Sequence, residues 1–533
     1  MSLINVSDLT FCYEGSFDNV FENVSFGIDT DWKLGFIGRN GKGKTTFLNL
    51  LLGKYEYTGS ISTSVVFDYF PYEVTGEDLD RTADELMEKW KPGVENWRVL
   101  CELPKLSVDA KLLYRPFKTL SFGERTKVML AVLFSGENDF LLIDEPTNHL
   151  DREAREIIKH YLASKKGFIL VSHDRDLLDA CIDHVLVLNR ATLQVGNGNF
   201  STWWENKERA DAFSKAENEK HLKEIGKLAA SADRVNRWAE ASENSKIGFN
   251  PLKEHDRSMD TRAYIGAKTK KMQNRVKAFE KRIDREIEEK EGLLKDIEEP
   301  VDLKIMPLTH YKKRLIECRD FSLKYEGGDR NVINDLTFEL NAGEIIFLSG
   351  ENGSGKTSLI KAILARAADK ATRDSSGEQP YAAAKTAEGI GNADSAMMTT
   401  GTLNVAANLM ISYINQDTSH LCGKLSEHAR RNNLDYTLLL SLLRQLDMER
   451  VQFDKPIEEF SEGQKKKVLI ASSLLTPAHL YIWDEPLNYI DVFSRMQIET
   501  LIEKYKPTML IVEHDVRFKE KLASREITLE SES

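Results

Sequence analysis

The sequence predicts an α/β protein with two domains of similar design, each a mainly parallel β-sheet covered by helices, joined by a long antiparallel α-helical hairpin. Short apolar strands alternate with helices in both halves of the chain, which is the pattern of such sheets. A glycine-rich loop follows a strand in each half, and a charged stretch nearly free of Gly and Pro separates the halves. We therefore expect a first domain over 1–204, the hairpin over 205–300 and a second domain over 301–533.

Length and charge set the broad class of protein. A chain of 533 residues exceeds what one hydrophobic core supports, so two domains and a connector are expected. The net charge of −12 argues against a protein that coats nucleic acid, and no DNA partner is expected. No signal peptide or apolar run of membrane-spanning length is visible. We therefore expect a cytoplasmic monomer without direct membrane insertion.

The two halves are copies of one unit. Lys44 and Lys356 lie 312 residues apart, whereas Asp144 and Asp484 lie 340 apart, and the motifs follow in the same order in both halves. The longer spacing places an insertion after the second glycine-rich loop. Its residues, near 365–400, are rich in Ala, Gly, Ser and Thr, and this composition predicts a flexible surface loop.

The apolar strands end at the residues that carry the motifs. A strand over 34–37 leads into the first glycine-rich loop, with a helix over 46–52 behind it. Because ligands bind beyond the carboxyl ends of parallel strands, these ends should form the sites. The further strands that end in Asp-Glu or beside a histidine are 140–143, 480–483, 168–172 and 509–513.

The central stretch predicts the two arms of the hairpin. Spaced apolar residues among many charges over about 204–240 and 266–298 are typical of long helices. Arms of about 33 residues would each reach roughly 50 Å. The tip is expected near 241–262, where Gly248 and Pro251 favour a turn.

Both glycine-rich loops, residues 38–45 and 350–357, fit G-x-x-x-x-G-K-[ST]. This loop presents backbone N–H groups to phosphate oxygens, its lysine reaches the β- and γ-phosphates, and its hydroxyl holds Mg²⁺. The expected ATP-binding residues here are Gly38, Asn40, Gly41, Gly43, Lys44, Thr45, Thr46, Gly350, Asn352, Gly353, Gly355, Lys356, Thr357 and Ser358.

A second motif follows each loop. Residues 120–124 (LSFGE) and 460–464 (FSEGQ) resemble the signature of the ATP-binding-cassette superfamily, and Asp-Glu, Asn-x-x-Asp and His motifs come after them in the family's order. The resemblance covers both halves and implies two ABC-type P-loop ATPase domains that hydrolyse ATP with Mg²⁺. It also implies that the signature of one half completes the site of the other, so that Ser461 and Gly463 join Lys44, and Ser121 and Gly123 join Lys356.

Phosphoryl transfer needs positioned charge and a polarised water. Glu145 and Glu485 are expected to polarise that water, and His173 and His514 to contact the γ-phosphate. Tyr13 and Tyr325 match the aromatic that the family stacks on adenine; the alternative is an ordinary core tyrosine. The expected Mg²⁺ ligands, direct or through water, are Thr45, Asp144, Thr357, Gln416 and Asp484.

The halves depart from the family pattern at several positions. Gln416 matches the glutamine of the Q loop, whereas Tyr72 stands at that place in the first half. Leu487 replaces a threonine, and Glu462 replaces the usual signature glycine. A tyrosine lacks the amide that organises Mg²⁺ and water, so we expect the first site to work differently.

Residues 145–151 (EPTNHLD), 31–41, 411–421 and 245–249 resemble the ABC-F proteins of translation, within them the Lsa-like ribosome-protection group. The resemblance implies a factor that binds the E site of the bacterial 70S ribosome in the ATP-closed state, between 23S rRNA and peptidyl-tRNA. Its linker would displace lincosamide, streptogramin A and pleuromutilin antibiotics from the peptidyl-transferase centre.

The linker carries a local basic stripe that fits RNA phosphates, although a solvated helix face would look similar. Phe249 at the tip would wedge among bases or pack the hairpin end. The expected ribosome-contact residues are Lys246, Phe249, Arg262, Lys268, Lys270, Lys271 and Arg275. Two other functions fit the same motifs: the soluble ATPase subunit of a drug exporter, and an ABC-F translation factor without a role in resistance.

Overall fold

A computed structural model describes residues 3–13, 19–39, 41–137, 139–148, 150–189, 192–244, 274, 276, 278, 281–283, 285, 304–326, 330–351, 353–374 and 397–529. The chain divides into two compact units. Residues 1–203 and 300–533 form one unit, which holds both copies of the repeat, and residues 204–299 form the other.

The first half contains two sheets. The larger sheet has the order β5-β6-β7-β3-β8-β9 and is parallel except for β9 at its edge. The smaller sheet is antiparallel with the order β2-β1-β4. The strands of the first half are β1 Leu3–Phe11, β2 Phe21–Asp29, β3 Lys33–Gly38, β4 Thr58–Ser62, β5 Val66–Phe70, β6 Asp139–Asp144, β7 Phe168–Val171, β8 His184–Asn189 and β9 Thr192–Asn197.

The second half repeats this plan. Its parallel sheet has the order β14-β15-β16-β12-β17, and its antiparallel sheet has the order β11-β10-β13. The strands are β10 Arg314–Tyr325, β11 Ile333–Asn341, β12 Ile345–Ser349, β13 Met397–Val405, β14 Ile411–Ile414, β15 Leu480–Asp484, β16 Met509–Val512 and β17 Arg525–Thr528.

Helices cover the parallel sheets and form the start of the linker. They are α1 Lys44–Leu51, α2 Ala83–Trp90, α3 Asn96–Glu102, α4 Phe122–Leu133, α5 Arg152–Ala163, α6 Arg175–Cys181, α7 Phe200–Asn244, α8 Lys356–Asp374, α9 Leu425–Arg431, α10 Tyr436–Gln445, α11 Glu462–Leu475, α12 Val492–Tyr505 and α13 Val516–Leu522.

The parallel sheet of the second half is buried on both faces. In β15, Leu480 and Ile482 belong to one hydrophobic cluster, whereas Tyr481 and Trp483 belong to the cluster on the other face. Burial on both faces explains why the strand reads as an uninterrupted apolar run rather than an alternating one. The predicted fold class of two α/β halves, each with a mainly parallel sheet covered by helices, is confirmed, and the two antiparallel sheets are an addition that the sequence did not predict.

The stretch predicted as an inserted loop, near 365–400, begins and ends in regular structure. Helix α8 continues to Asp374, and β13 begins at Met397, so both ends of the predicted loop 365–400 are regular structure. Ala365, Ala367 and Ala368 explain the helix, since alanine has the highest helix propensity. Residues 375–396 lie outside the described residues.

The first predicted arm of the linker lies within α7, which begins at Phe200 and ends at Asn244. In the predicted return arm, the described residues 274, 276, 278, 281–283 and 285 are helical. The predicted tip at 241–262 lies outside the described residues beyond Asn244.

Candidate nucleotide-binding sites

Each half places its glycine-rich loop between a parallel strand and a helix. We call the site around the loop of Lys44 the first site and the site around the loop of Lys356 the second site. Lys44 Nζ donates hydrogen bonds to Gly38 O and Arg39 O at 2.7 and 3.1 Å. Lys356 Nζ does the same to Gly350 O and Glu351 O at 2.8 and 2.7 Å. Both lysines therefore lie folded back on their own loop.

Two glycines at the start of the helices have no substitute. Gly43 and Gly355 have φ angles of 110° and 89°, a region that side chains rarely adopt. A Cβ at Gly43 would lie 2.6 Å from a Val20 methyl carbon, and one at Gly355 would lie 2.7 Å from a Val332 methyl carbon. The loop backbone can thus turn sharply into the helix only with glycine at these positions.

A hydroxyl and a carboxylate meet at each site. Thr45 Oγ1 donates to Asp144 Oδ2 at 3.1 Å, and Thr357 Oγ1 donates to Asp484 Oδ2 at 3.0 Å. Burial raises the pKa of the Asp144 carboxyl, and it raises the pKa of Asp484 to about 6. Asp484 Oδ1 is buried without a hydrogen-bond partner.

This donor set fits Mg²⁺, which binds proteins through one or two oxygen ligands and takes the rest from water and phosphate. The buried Asp484 Oδ1 is an acceptor that a cation would satisfy. Within the described ranges, no group of three or more His, Cys, Asp or Glu side chains could hold a metal by itself. The pair of Thr and Asp therefore fits an ion that shares its coordination sphere with a nucleotide.

Glu145 and Glu485 follow directly after β6 and β15 in a strained backbone conformation. Their φ angles are 50° and 48°, which are rare for a non-glycine residue. Their backbone N–H groups donate to Val171 O and Val512 O, each at 2.9 Å. The neighbouring strands thus hold the same unfavourable turn in both halves, as is common at functional sites.

A histidine lies beside each glutamate. His173 Nε2 is 3.4 Å from Glu145 Oε1, and His514 Nε2 is 4.0 Å from Glu485 Oε1. Burial lowers the pKa of His173 well below its usual value and that of His514 to about 4. Both imidazoles are therefore neutral at physiological pH.

Burial acts on the glutamates in the opposite direction. Burial, followed by the charge of Asp144, raises the pKa of Glu145 to about 8. Burial, followed by the charge of Glu513, raises the pKa of Glu485 above its usual value. A carboxylate with a raised pKa accepts a proton more readily than one in water, as a general base requires.

The Q-loop position differs between the halves. Gln416 Nε2 donates to Glu485 Oε2 at 2.8 Å, and Asn488 Nδ2 donates to the same oxygen at 2.7 Å. The structure therefore brings Gln416 to Glu485, rather than directly to the expected metal ligand Asp484.

In the first half, Tyr72 stacks on Trp90 with ring centroids 5.3 Å apart, and its hydroxyl donates to Asp68 at 2.9 Å. It is Tyr69 whose hydroxyl donates to Asp144, at 3.2 Å. The tyrosine hydroxyl that reaches the first site thus belongs to Tyr69, three residues before Tyr72, which is the residue that aligns with Gln416.

Tyr13 and Tyr325 are each bonded to a helix that follows a glycine-rich loop. The hydroxyl of Tyr13 shares a hydrogen bond of 2.6 Å with Thr46, and that of Tyr325 one of 2.8 Å with Ser358. Tyr13 is exposed, whereas Tyr325 is half-buried and packs against a hydrophobic core cluster of the second half, so the alternative of a core residue is wrong for Tyr13 alone.

The signature serines begin helices. Ser121 caps α4 and Ser461 caps α11, each accepting a hydrogen bond from the backbone N–H three residues later. A Cβ at Gly463 would lie 2.7 Å from Tyr489 O, whereas one at Gly123 would make only ordinary contacts. The close approach of backbone that demands glycine is found in the second half.

Residues of both halves line the second site. It is a cavity of about 510 Å³ with Leu150 and Arg155 contributed by the first half. The charge of Asp151 also acts on Lys356. The other lining residues are Tyr325, Val332, Gly353, Gly355, Lys356, Thr357, Ser358, Gln416, Glu485, Asn488 and His514.

The second half acts on the first site in the same way. Asp491 raises the pKa of Lys44 against the larger lowering by burial, and Arg495 acts on Glu145. The structure thus brings the segments of Asp151 and Asp491 to the opposite sites. Ser121 and Gly123 are not among the residues that line the second cavity.

Ion pairs that sequence reasoning missed join the halves beside the first site. Arg39 pairs with Asp447 at 2.8 Å, and Lys42 pairs with Glu449 at 2.7 Å. The two positive residues are the variable positions of the first glycine-rich loop. Glu351 and Ser354 stand at these positions in the second loop, and this change of charge was the available signal.

A further pair between the halves is buried. Arg175 of α6 pairs with Glu499 of α12 at 2.7 Å, and both side chains are less than 10% exposed. The positions that correspond to these two by the repeat are Val516 and Lys159, and Lys159 pairs within its own half with Glu156 and Asp176. The ion pair of Arg175 with Glu499 is therefore not repeated by the corresponding residues Val516 and Lys159.

Several predicted residues cannot be placed. Asn40 and Asn352 of the glycine-rich loops lie outside the described residues, as do all the predicted ribosome contacts. The latter are Lys246, Phe249, Arg262, Lys268, Lys270, Lys271 and Arg275.

Known proteins resemble the chain from end to end. A family model described as ABC transporter matches residues 21–148 and 333–488. The ribosome protection protein VmlR of Bacillus subtilis (strain 168) is 27% identical over 99% of this chain and 86% of its own length. The ATP-binding protein Uup of Caulobacter vibrioides is 24% identical over 96% of this chain and 75% of its own length.

Among solved structures, the archaeal ribosome recycling factor aABCE1, in complex with the stalk protein aP1, matches with a TM-score of 0.56. The identity is 18% over 98% of this chain and 87% of that chain, so the likeness is one of fold. Across the part of the chain that the structure describes, no helix is both long and apolar enough to cross a membrane.

Proposed function

Because the chain belongs to the ABC-F family and its two ATP-binding-cassette domains make it an ATP hydrolase, we propose that it is an ATP-dependent ribosome-protection factor of the cytoplasm. In this proposal the ATP-closed protein binds the E site of the bacterial 70S ribosome, against 23S rRNA and peptidyl-tRNA. Its linker then displaces lincosamide, streptogramin A or pleuromutilin antibiotics from the peptidyl-transferase centre.

The observation that carries this proposal is the end-to-end match to the ribosome protection protein VmlR. Nearly the whole of this chain takes part in that match, so it includes the linker as well as the two ATPase halves. The linker is the part that would distinguish a ribosome-bound factor from other proteins with two cassettes.

The phosphate-binding parts follow from the loops. Lys44 and Lys356 bond to carbonyl oxygens of their own loops, and we propose that a nucleotide phosphate takes over these ammonium groups. Thr45 with Asp144, and Thr357 with Asp484, would hold Mg²⁺, which neutralises charge on the phosphates when bound.

Water activation is assigned to the glutamates. Gln416 and Asn488 fix one oxygen of Glu485, which leaves the other oxygen on the side of His514. That oxygen would accept the proton of the attacking water. The neutral His514 would donate a hydrogen bond to the γ-phosphate without adding charge.

Closure follows from sites that draw on both halves. Leu150 and Arg155 of the first half already line the second cavity, so a nucleotide bound there contacts both halves at once. ATP then stabilises the closed arrangement, and loss of the γ-phosphate removes that stabilisation. The closed arrangement is the one proposed to bind the ribosome.

The test uses purified 70S ribosomes and the Glu145→Gln, Glu485→Gln protein. With ATP, this variant should bind nucleotide, hydrolyse it at least about 100-fold more slowly, and sediment with ribosomes. The matched control is the same variant with Lys44→Ala and Lys356→Ala, which should bind neither ATP nor ribosomes. A glutamine variant that stays in the supernatant with ATP would contradict the proposal.

A translation factor without a resistance role is the second candidate. Its support is the match to Uup, a relative named only as an ATP-binding protein, over nearly the whole of this chain. Both candidates predict ribosome sedimentation, so growth of a sensitive bacterium on each of the three drug classes separates them. Expression of this chain should raise at least one inhibitory concentration if the first proposal holds.

The ATPase subunit of a drug exporter is the remaining alternative, and the family description ABC transporter is its support. It requires a separate membrane chain. Recovery of the protein with membranes rather than ribosomes after cell fractionation would favour it.

A further inference from the structure

The signature helix α11 of the second half is bonded to the segment that carries Gln416. Lys466 Nζ donates a hydrogen bond of 3.1 Å to Asn415 O, the residue before Gln416. Thr418 Oγ1 donates one of 2.6 Å to Glu462 Oε2. The Q loop of this half is therefore held on both sides of Gln416 by one helix.

The same lysine also reaches the glutamate of the second site. Lys466 Nζ lies 3.3 Å from Glu485 O, to which it donates. A single ammonium group thus joins the backbones on which Gln416 and Glu485 stand, and the side chains of these two residues are themselves bonded at 2.8 Å. Any shift of Lys466 moves both partners of that bond.

Lys466 is only 2% exposed. A buried cation is unfavourable unless hydrogen bonds and nearby negative charges offset its desolvation. The charges that favour its ionised form are, in order, those of Glu485, Asp484, Glu513 and Glu462. The lysine is therefore set among the acidic groups of the second site.

Helix α11 begins at the signature serine. Ser461 caps the helix, and Gln464 bonds back to the Ser461 backbone, which closes the first turn. Glu462 and Lys466 project from the first two turns. A helix moves as a rigid body over such a short distance, so a displacement of Ser461 is passed directly to both side chains.

The first half has different side chains at these positions. Phe122 corresponds to Glu462 and Thr126 to Lys466 by the repeat. Neither provides a carboxylate or an ammonium group, and a threonine is too short to join two carbonyl oxygens. Tyr72, at the position of Gln416, is bonded to Asp68 instead.

We propose that Glu462 and Lys466 are positioning residues that couple the two nucleotide sites in one direction, from the first to the second. A nucleotide held at the first site by Ser461 sets the position of α11, and α11 sets the Gln416–Glu485 pair that activates water at the second site. At the corresponding positions, Phe122 and Thr126, the first half lacks the carboxylate and the ammonium group of this link. The inference rests on the proposed ATP hydrolysis and on the pairing of each signature with the opposite site.

The experiment measures each site alone by single-turnover cleavage of prebound ATP, without ribosomes. In a Glu145→Gln background, cleavage reports the second site. There, Lys466→Met should slow cleavage about ten-fold, while the apparent ATP affinity changes by less than about two-fold. Glu462→Gly, which restores the usual signature residue at a half-exposed side chain, should slow it about three-fold.

Two further readouts separate positioning from general damage. Ser461→Ala should slow the second site in the Glu145→Gln background but cause no additional loss once Lys466→Met is present. Lys466→Arg, which keeps a positive charge at this position, should restore the cleavage rate in the Glu145→Gln background.

The matched control is Thr126→Val, read at the first site in a Glu485→Gln background, where cleavage should stay within about 1.5-fold of its parent. The coupling is wrong if Lys466→Met and Glu462→Gly both cleave at the parental rate, or if Ser461→Ala and Lys466→Met act additively. If the Glu485→Gln change itself leaves second-site cleavage intact, the assignment of the general base fails instead. A lack of ribosome binding affects neither result.

Discussion

The two nucleotide sites share a backbone and differ in their side chains. Both have a lysine folded on its loop, a Thr–Asp pair and a glutamate in the same strained turn. At the second site, Gln416 and Asn488 orient Glu485. At the first site, Tyr69 bonds to Asp144, and ion pairs from Arg39 and Lys42 bind the loop to the other half.

We infer from this difference that the two sites have different roles. The first site has ion pairs that hold the halves together, and the second site has hydrogen bonds that orient the general base Glu485. Ion pairs near a surface are modest individually, but several around one loop restrict its opening. We therefore expect the second site to carry most of the turnover and the first to remain closed for longer.

The largest expected effect is that of single glutamate substitutions on the rate of ATP hydrolysis. Glu485→Gln should reduce steady-state ATP hydrolysis about 100-fold, because the oriented base is lost. Glu145→Gln should reduce it only about three-fold. Phosphate release from the purified variants measures both, with nucleotide binding as the control for folding. Equal losses would show that the sites are equivalent, and the comparison would fail.

The buried pair between the halves comes next. Arg175→Ala leaves the buried Glu499 with Lys521, at 3.4 Å, as its remaining ion-pair partner, so the loss of stability should stay below the about 3–5 kcal/mol of a fully uncompensated buried charge. Urea denaturation should show this loss. The double variant Arg175→Met, Glu499→Leu should recover most of it, because neither charge remains. Glu137→Ala, at an exposed ion pair, is the surface control and should leave the midpoint unchanged.

A smaller effect separates the two Q-loop positions. Gln416→Ala should lower ATP hydrolysis about ten-fold, because it removes one of the two donors to Glu485. Tyr72→Phe should leave hydrolysis unchanged, since its hydroxyl is bonded to Asp68. The measurement is kcat and KM for ATP in the two variants. A Tyr72→Phe protein with hydrolysis as low as Gln416→Ala would place Tyr72 in the chemistry after all.

The smallest effect concerns stability and pH. The pKa of Glu145 is raised to about 8 in the folded protein, above about 4.3 in the unfolded chain. Between these values the unfolded state binds fewer protons, so ionisation of Glu145 destabilises the fold as pH rises from about 4 to about 8.

Glu145→Gln should therefore raise the melting temperature of the nucleotide-free protein by a few degrees at pH 8, with no gain near pH 4. Glu485→Gln should give a gain in the same direction, since burial also raises the pKa of Glu485. Thermal unfolding at both pH values measures the difference. A gain that does not depend on pH would refute the linkage to Glu145.

The sequence predicted what depends on local pattern. The glycine-rich loops, the strands that end in Asp-Glu and the helix α7 follow from residue spacing and apolar periodicity, and the structure has them at or near the predicted residues. Glu145 with His173, and Glu485 with His514, were expected together because parallel strands end at one edge of a sheet.

What the sequence did not predict depends on contacts between distant segments. The pairing of Arg39 with Asp447 joins residues about 400 positions apart, and the change of charge between the two glycine-rich loops does not identify the partner. Tyr72 aligned with Gln416 but stacks on Trp90, and it is Tyr69 that reaches Asp144. The role of Lys466 depends on its burial, and a run of three lysines usually indicates a solvated face.

The most direct test of the central claim is peptide synthesis by drug-inhibited 70S ribosomes. With ATP, the protein should restore synthesis in the presence of a lincosamide, a streptogramin A or a pleuromutilin. Phe249→Ala should lose this protection while it hydrolyses ATP at the parental rate, since the ATPase residues all lie outside the linker. If the parent protein restores synthesis with none of the three drugs, or if Phe249→Ala protects as well as the parent, ribosome protection through the linker is contradicted.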